Sequence, residues 1–468
     1  MCAVWNFICI FDINIQASLI FFARLLLICA LREYRLWGGK PHSFGNINIP
    51  SSQATLISRC RCKKYSSKLD IFRSLVTIFA KIPQRTIMEH NKKILIGYDA
   101  KRIVRNATGL GGYGRTLVND IIKRNEQGLE LLLYAPDKGR DELRNRIAPS
   151  PNARFVFYEG PCRLLRDYWR MRGIVKELKR DNVRIYHGLT GELPLGLKAS
   201  GIKGVVTIHD LIFMRHPEYY NAIDVAIYKW KFRVACKEAT RIIAISERTK
   251  HDIMELGGVP EEKIDLIYQS CNPRFGCELS QSVVADVKKQ FNIPARYILN
   301  VGTIEERKNI ILAVKALPLL PDDIHLVVVG RQTKYTRKVL DAARSLAVEH
   351  RVHILCGVND TALQALYQCA EVFVYPSRYE GFGIPIIEAV FNRLPVVACI
   401  GSCLEEAGGP HNLYVAPDDT PAMAEALKSM LIGAAGRDER IAGSLEYVQR
   451  FRGNDVAAQV LDVYAKLI

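Results

Sequence analysis

Two doubly wound α/β domains, each built on a parallel sheet, are what the sequence predicts. From Lys92 onward short β-rich apolar runs alternate with amphipathic segments, and the alternation lapses once, around Asn272 to Ser282, before a second series begins. Strands alternating with helical stretches imply crossover connections and therefore parallel sheets. The first series reads KILIGYD, LELLLYA, RIYHG, GVVTIHD and RIIAIS; the second reads RYILNVG, IHLVVVG, RVHILCG, EVFVYP and LPVVA. The expected domains are 88–278 and 279–468, with a cleft where strand ends from both halves meet.

Length and composition agree with that size. At 468 residues and 49% hydrophobic content the chain can bury more than one core. The formal charge of +17 invites a nucleic-acid or membrane reading, but it is unevenly spread. Through Ile87 there are twelve Lys and Arg against three Asp and Glu, which leaves a surplus of eight for all later residues. The basic signal is thus mainly N-terminal, and a nucleic-acid partner is not expected. The 13 cysteines are scattered without CxxC spacing, which fits a reducing cytoplasm better than a disulfide framework.

The first 87 residues read unlike the rest, with an apolar run from Ile15 to Leu31 and a basic cluster of Arg59, Arg61, Lys63 and Lys64. A membrane span is weakened by the length of the run and by Arg24, since a central arginine costs about 2.5 to 3.5 kcal/mol on insertion scales. A targeting peptide fits poorly because the run follows Asp12 and lacks a basic leading region. The expectation is that residues 1–87 are an extension outside the functional fold and that translation starts at Met88.

Gly109, Gly111 and Gly114 match GxGxxG, and Asp137 follows the next strand where a ribose-binding acid of a dinucleotide fold would sit. That keeps an NAD-dependent oxidoreductase in play as a reading from a different class. In such a fold, however, the glycines follow the first strand directly, whereas Ala100 to Thr108 intervene here. The reading that survives is a flexible glycine loop opening a helix with Tyr113, Leu117, Val118, Ile121 and Ile122 on one face. Its amides, with Gly111 and Gly112 at the centre, would face an anion; the bland alternative is a tight turn.

EGFGIPIIEA, Glu380 to Ala389, sets two glutamates eight positions apart around two glycines and a proline. Val372 to Tyr375 reads as a buried strand, Pro376 to Gly383 as loop, and Pro385 suits a first helical position. Glu380 is then expected in the cleft and Glu388 about one turn into the helix. Carboxylates accept from hydroxyls, while glycine amides and the helix start receive phosphate oxygens, so a sugar joined to a diphosphate suits this set.

PSRYEGFGIPIIEA resembles the signature of the retaining glycosyltransferases of family four. TGLGGYGRTL, VVTIHDLIF, NVGTIEERKN and LYQCAEVFVYPSRYEGFG match the same family in order, so the resemblance covers about Lys92 to the C-terminus. It implies a GT-B architecture, two facing Rossmann-like domains with the nucleotide sugar held mainly by the second. By position it implies that Glu388 bonds the ribose hydroxyls and Glu380 the transferred sugar, with Gly381, Phe382 and Gly383 offering amides. It implies that Arg307 and Lys308 neutralise the diphosphate and that His209 stands near the reacting sugar. Fixed cations facing a departing diphosphate stabilise the charge that develops on it.

No DxD sequence and no clustered Cys/His pattern occurs, so catalysis without a metal or other cofactor is expected, the cations and helix amides serving instead. Two departures touch helix ends. Asn392-Arg393-Leu394-Pro395 stands where the family has a glycine after a small residue, and Asn392 is expected to take the left-handed role that Arg393 would resist. In LEEAGG, Glu405 replaces a common proline while Glu406 keeps the family acid. The motif forms look most like bacterial mannosyltransferases using GDP-mannose, with UDP-glucose or another hexose donor as the alternative and base contacts near Gly357 and Val358. The acceptor is expected to be a glycan or lipid-linked saccharide in cell-surface polysaccharide assembly. The basic, aromatic stretch RLLRDYWRMR, Arg163 to Arg172, is a candidate peripheral contact with the inner face of the cytoplasmic membrane, against the plainer reading of a solvated helix.

Overall fold

The computed structural model describes residues 93–124, 128–160 and 162–468. The N-terminal segment through Ile87, with its apolar run, its basic cluster and the reading of Met88 as a start, lies outside the described residues. Thirteen strands form two wholly parallel sheets among the described residues. In the first sheet the strands are β1 (Ile94–Asp99), β2 (Leu129–Ala135), β3 (Ala153–Phe157), β4 (Ile185–Gly188), β5 (Lys203–Ile208), β6 (Arg241–Ala244) and β7 (Ile264–Leu266). Their spatial order is β3-β2-β1-β4-β5-β6-β7. The second sheet has β8 (Arg296–Val301), β9 (Ile324–Val329), β10 (Val352–Leu355), β11 (Val372–Tyr375), β12 (Val396–Cys399) and β13 (Leu413–Val415), ordered β10-β9-β8-β11-β12-β13.

Both sheets are covered on two faces, which is why their strands read as continuous apolar runs. Along β2, Leu131 and Leu133 enter one core while Leu132 and Tyr134 enter the opposite one. Along β9, Leu326 and Val328 divide from Val327 and Val329 in the same way. The two-residue period of a strand fixes that division. In each sheet the strand order reverses beside the first strand, at β1/β4 and at β8/β11, and ligands of such folds bind outside the carboxyl ends at that point.

The helices that matter for function follow in chain order. After β1 comes α1 (Lys101–Arg105), then α2 (Gly109–Arg124). After β3 come α3 (Arg163–Tyr168), a π-helical turn from Trp169 to Gly173, and α4 (Ile174–Arg180). Helix α5 (Ala222–Glu238) precedes β6, and α6 (Glu247–Gly257) follows it, with the Ser246 hydroxyl accepting the amide of Thr249 as its cap. In the second domain α7 (Ile384–Phe391) follows β11 and α8 (Leu404–Gly408) follows β12. The last helix, α9 (Val456–Ala465), returns to the first sheet. Ala457, Val460, Val463 and Tyr464 join the core around Leu131 and Leu133, and the Tyr464 hydroxyl lies 2.6 Å from His187 Nδ1. A boundary that assigns 279–468 wholly to the second domain therefore gives up its final helix.

The glycine stretch after β1 is helix rather than flexible loop, because α2 begins at Gly109. Gly111 is needed for close packing: a Cβ there would lie 1.9 Å from the Asn106 carbonyl oxygen. Helix α1 stands between β1 and the glycines, and Asp137 is held in ion pairs with Arg105 and, at 2.8 Å, Arg166. Neither feature leaves a dinucleotide turn.

The end of α7 corrects the reading of Asn392. Asn392 has φ −85° and sits at the cap, whereas Arg393 takes the left-handed conformation at φ 58°. The amides of Arg393 and Leu394 bond the carbonyls of Val390 and Ala389 at 2.9 and 3.0 Å, the double bond of a Schellman ending. That pattern puts its left-handed residue one place beyond the cap. The Asn392 side chain is occupied at the cap itself, donating to the Glu388 carbonyl at 2.8 Å. Because only glycine adopts this conformation without a Cβ penalty, Arg393→Gly is expected to stabilise the fold by about 1 kcal/mol. Urea unfolding of the two proteins measures the gain, and an unchanged or lower midpoint contradicts it.

Candidate active site

The site is assembled at the β8/β11 reversal. Beyond β8 the chain turns at Gly302 and enters a short helical turn from Glu306 to Lys308. Beyond β11 the loop from Pro376 leads to Gly383, whose φ of 114° suits glycine and starts α7, with Pro385 in its first turn. The two loops are tied together where the Arg378 amide donates to the Arg307 carbonyl at 2.9 Å.

Here Arg307, Lys308 and Glu380 meet. Glu380 Oε1 lies 2.7 Å from Lys308 Nζ and 2.9 Å from Arg307 Nη1, and the Lys308 and Glu380 side chains are each only 12% exposed. Burial by itself would raise the Glu380 pKa, but Lys308 and Arg307 outweigh it and hold the group at about 2. Both ion pairs fall on Oε1, which is itself shut off from solvent. Lys308 also donates to the Tyr375 hydroxyl at 2.7 Å, and its ammonium stands 4.8 Å from that ring's centre. Arg307 is braced by the Tyr379 carbonyl and by Glu305, each at 2.6 Å. Two cations and one buried acid thus occupy the mouth of the reversal, with Glu305 at the rim.

Gly381 and His209 meet across the two domains. A Cβ on Gly381 would lie 2.1 Å from the His209 carbonyl oxygen, so glycine serves domain contact as well as access. The Gly381 carbonyl accepts from the hydroxyls of Ser246 at 2.7 Å and Thr249 at 3.2 Å. The His209 ring is fully engaged. Its Nε2 donates to the Leu189 carbonyl at 2.9 Å, its Nδ1 lies 3.1 Å from the Gln269 amide nitrogen, and its edge meets Tyr113 with ring centres 4.8 Å apart. Burial lowers its pKa to about 4, so the ring is neutral near pH 7. The Gly112 amide donates within its helix to Thr108 at 2.9 Å, while no atom lies within 4 Å of where a Gly112 side chain would begin.

Glu388 stands apart from that cluster. It accepts from the Tyr367 hydroxyl at 2.9 Å and is influenced by Asp360 and Arg274. Burial raises its pKa to about 7, with the Tyr367 hydrogen bond opposing. A run of aromatic rings connects the two acids: Tyr367 packs on Phe373 and Phe373 on Tyr375, with centres 5.5 Å apart at both steps, and Tyr375 holds Lys308. Val358 packs at the edge of the core beside α7. The Phe382 side chain is buried, stacked on Tyr268, so only its backbone can face a ligand.

Sequence reasoning missed four residues. Tyr375 and Tyr379 read as ordinary strand and loop aromatics, although each sits beside a cation of the site. Asp210 follows His209 and is half-buried near Arg307 and Glu380, with desolvation raising its pKa. Glu406 was noted only as a family acid; its carboxylate accepts the backbone amides of Glu247 at 2.7 Å and Arg248 at 3.3 Å, so it caps α6 from the other domain. No pattern in the chain signals that partnership. Among the described residues, His251, Asp252 and Glu255 lie close enough to share an ion, but both carboxylates already pair with Arg215.

Glu388 gives a pH test. Its folded value lies above the ordinary 4.5, so between those two points the folded chain holds a proton that the unfolded chain has lost. Stability contributed by the neutral acid is complete below pH 4.5 and declines as pH rises toward 7, by at most about 3 kcal/mol. Glu388→Gln is expected to flatten that decline in ligand-free protein. Urea unfolding between pH 5 and 8 measures it, and identical profiles for the two proteins contradict it.

Comparison with known proteins gives two family matches that together span most of the described chain. Residues 110–274 match Glycosyltransferase Family 4, and residues 285–442 match Glycosyl transferases group 1. The chain is 28% identical over 288 residues to O-antigen chain mannosyltransferase B of Escherichia coli, covering 60% of this chain and 74% of that protein. It is 29% identical over 225 residues to O-antigen chain mannosyltransferase RfbU of Salmonella typhimurium, covering 48% and 60%. A glycosyltransferase from Rickettsia africae superposes with TM-score 0.64 at 19% identity over 81% of this chain and 99% of the other. Anabaena HepE, solved with UDP and glucose, superposes with TM-score 0.62 at 16% identity over 80% and 100%. The chain belongs to the family 4 and group 1 glycosyltransferases, and it is an enzyme of the GT-B fold.

Proposed function

We propose that the enzyme moves mannose from GDP-mannose onto a glycan or lipid-linked saccharide during assembly of a cell-surface polysaccharide, with retention of anomeric configuration, in the cytoplasm. The observation that carries the reading is the contact of Arg307 and Lys308 with buried Glu380 at the β8/β11 reversal. The names of the O-antigen mannosyltransferase relatives support the sugar. A second reading, UDP-glucose as donor, is favoured by the likeness to HepE, a protein solved with UDP and glucose.

In this reading Arg307 and Lys308 face the diphosphate and offset the charge that grows on it as the glycosidic bond breaks. Amides of Gly381, Phe382 and Gly383 assist them, and no metal is required. Glu380 accepts from hydroxyls of the transferred hexose. Glu388 accepts from the ribose hydroxyls, and Val358 borders the base. His209, neutral and held at both nitrogens, shapes the sugar side of the cleft rather than shuttling protons. Gly111 and Gly112, at the start of α2, border the acceptor side. Glu380 is committed to two cations, which argues against a covalent glycosyl intermediate on it and for attack from the face the diphosphate leaves.

A thermal-shift and hydrolysis screen over GDP-, UDP- and ADP-sugars tests the donor, since a ligand bound only by the folded state raises its apparent stability. GDP-mannose is expected to give the largest shift, and a response confined to UDP-glucose would replace it. Lys308→Ala is expected to lower kcat by about 10² or more while the protein stays folded, as removal of one charge-stabilising donor does in other enzymes. Glu388→Ala is expected mainly to raise KM for the donor. Wild-type kinetics in both variants would remove the site.

A further inference from the structure

Eleven large apolar side chains are exposed among the described residues, and six of them fall on two segments of the first domain. These are Leu165, Tyr168 and Met171 along α3 and the π-helical turn, and Ile223, Ile227 and Trp230 on α5. Helix α5 already buries Val225, Phe232 and Ala235 against the core. Ile223, Ile227 and Trp230, at i, i+4 and i+7, form a second apolar ridge on its outer side. The two segments adjoin, because Met171 and Trp230 line one shallow hollow with Asp99 and Glu192.

Both segments are rich in basic residues. Residues 163–180 and 222–238 contain eleven Lys and Arg against four Asp and Glu, a surplus of seven, while residues 88–468 as a whole have a surplus of eight. Arg172, Lys176, Lys179, Arg233 and Lys237 are exposed. Two of the four acids are turned inward: Glu238 accepts the amides of Gly196 and Lys198, and Glu177 accepts from the Trp169 ring nitrogen. A symmetric contact with a second copy would set this basic surface against itself.

We propose that this face docks on an anionic lipid bilayer. Ile223, Ile227 and Trp230 enter the boundary between headgroups and acyl chains, and the surrounding Lys and Arg meet lipid phosphates. Among the described residues no helix is long and apolar enough to cross a membrane. The ridge flanks the hollow at the carboxyl end of β1, where Asp99 and Glu192 stand. On the transfer reading above, that seats the acceptor half of the cleft beside the bilayer, within reach of an acceptor carried on lipid.

Co-sedimentation of the full chain with vesicles tests the docking without any sugar nucleotide, so its failure is distinct from failure of the transfer reading. The protein is expected to bind phosphatidylcholine vesicles containing phosphatidylglycerol about tenfold or more tightly than phosphatidylcholine alone, and binding should weaken with added salt. Ile227→Ser/Trp230→Ser and, separately, Arg233→Glu/Lys237→Glu should each lower that binding about tenfold, with circular dichroism unchanged. Equal binding to both vesicle types, no binding, or wild-type binding by the charge-reversed variant would overturn the proposal. So would a dimer in light scattering that Trp230→Ser dissolves, which would give the face to a second copy.

Discussion

The pairing of Glu380 with Arg307 and Lys308 is the interaction on which the loops at the β8/β11 reversal depend. Taking three charges out of water is costly, and their attraction compensates only while every partner is present. Removing one cation would leave Glu380 buried with half its support, and removing Glu380 would set two cations 12–15% exposed against each other. The neighbouring contacts serve that balance. Tyr375 fixes the ammonium, the Tyr379 carbonyl and Glu305 fix the guanidinium, and the Arg378 amide locks one loop to the other. Such a site meets a ligand with its charges already oriented, which is how electrostatic stabilisation avoids reorganisation during the reaction.

The same loop joins the domains. Between Tyr379 and Gly381 it presents a phenol to Arg248 at 2.9 Å, a carboxylate to the two cations and a carbonyl to Ser246. Glu406 adds a charged cap on α6, where the helix start carries partial positive charge. The contacts made by Tyr379 and Gly381 therefore lie one position from Glu380. A change in the loop at one end is felt at the other, because a glycine with a carbonyl 2.1 Å from its missing Cβ has no room to yield.

Much of this was legible in the chain. The alternation of apolar runs gave the two parallel sheets because strands buried on both faces need unbroken hydrophobicity. The break around Asn272 to Ser282 separated the two series. Arg307, Lys308 and Glu380 were singled out through the family resemblance, each with its own role; their pairing appears only in the structure, where the loops after β8 and β11, adjacent at a reversal, bring them to the same place. Two readings went astray for local reasons. The glycines at 109–114 proved helical, with Gly111 and Gly114 packed closely against the segment of α1 and Asn106, and the Schellman bonds put the left-handed position on Arg393 rather than Asn392.

By itself the sequence determined the strand and helix pattern, which follows from periodicity, and the likeness to a family, which is carried by short motifs in order. Tertiary structure alone decided that Glu406 caps a helix 159 residues away, that His209 is neutral and held at both nitrogens, and that the final helix returns to the first sheet. Those outcomes depend on distance, burial and direction between segments far apart in the chain, and a linear order of residues encodes none of the three locally.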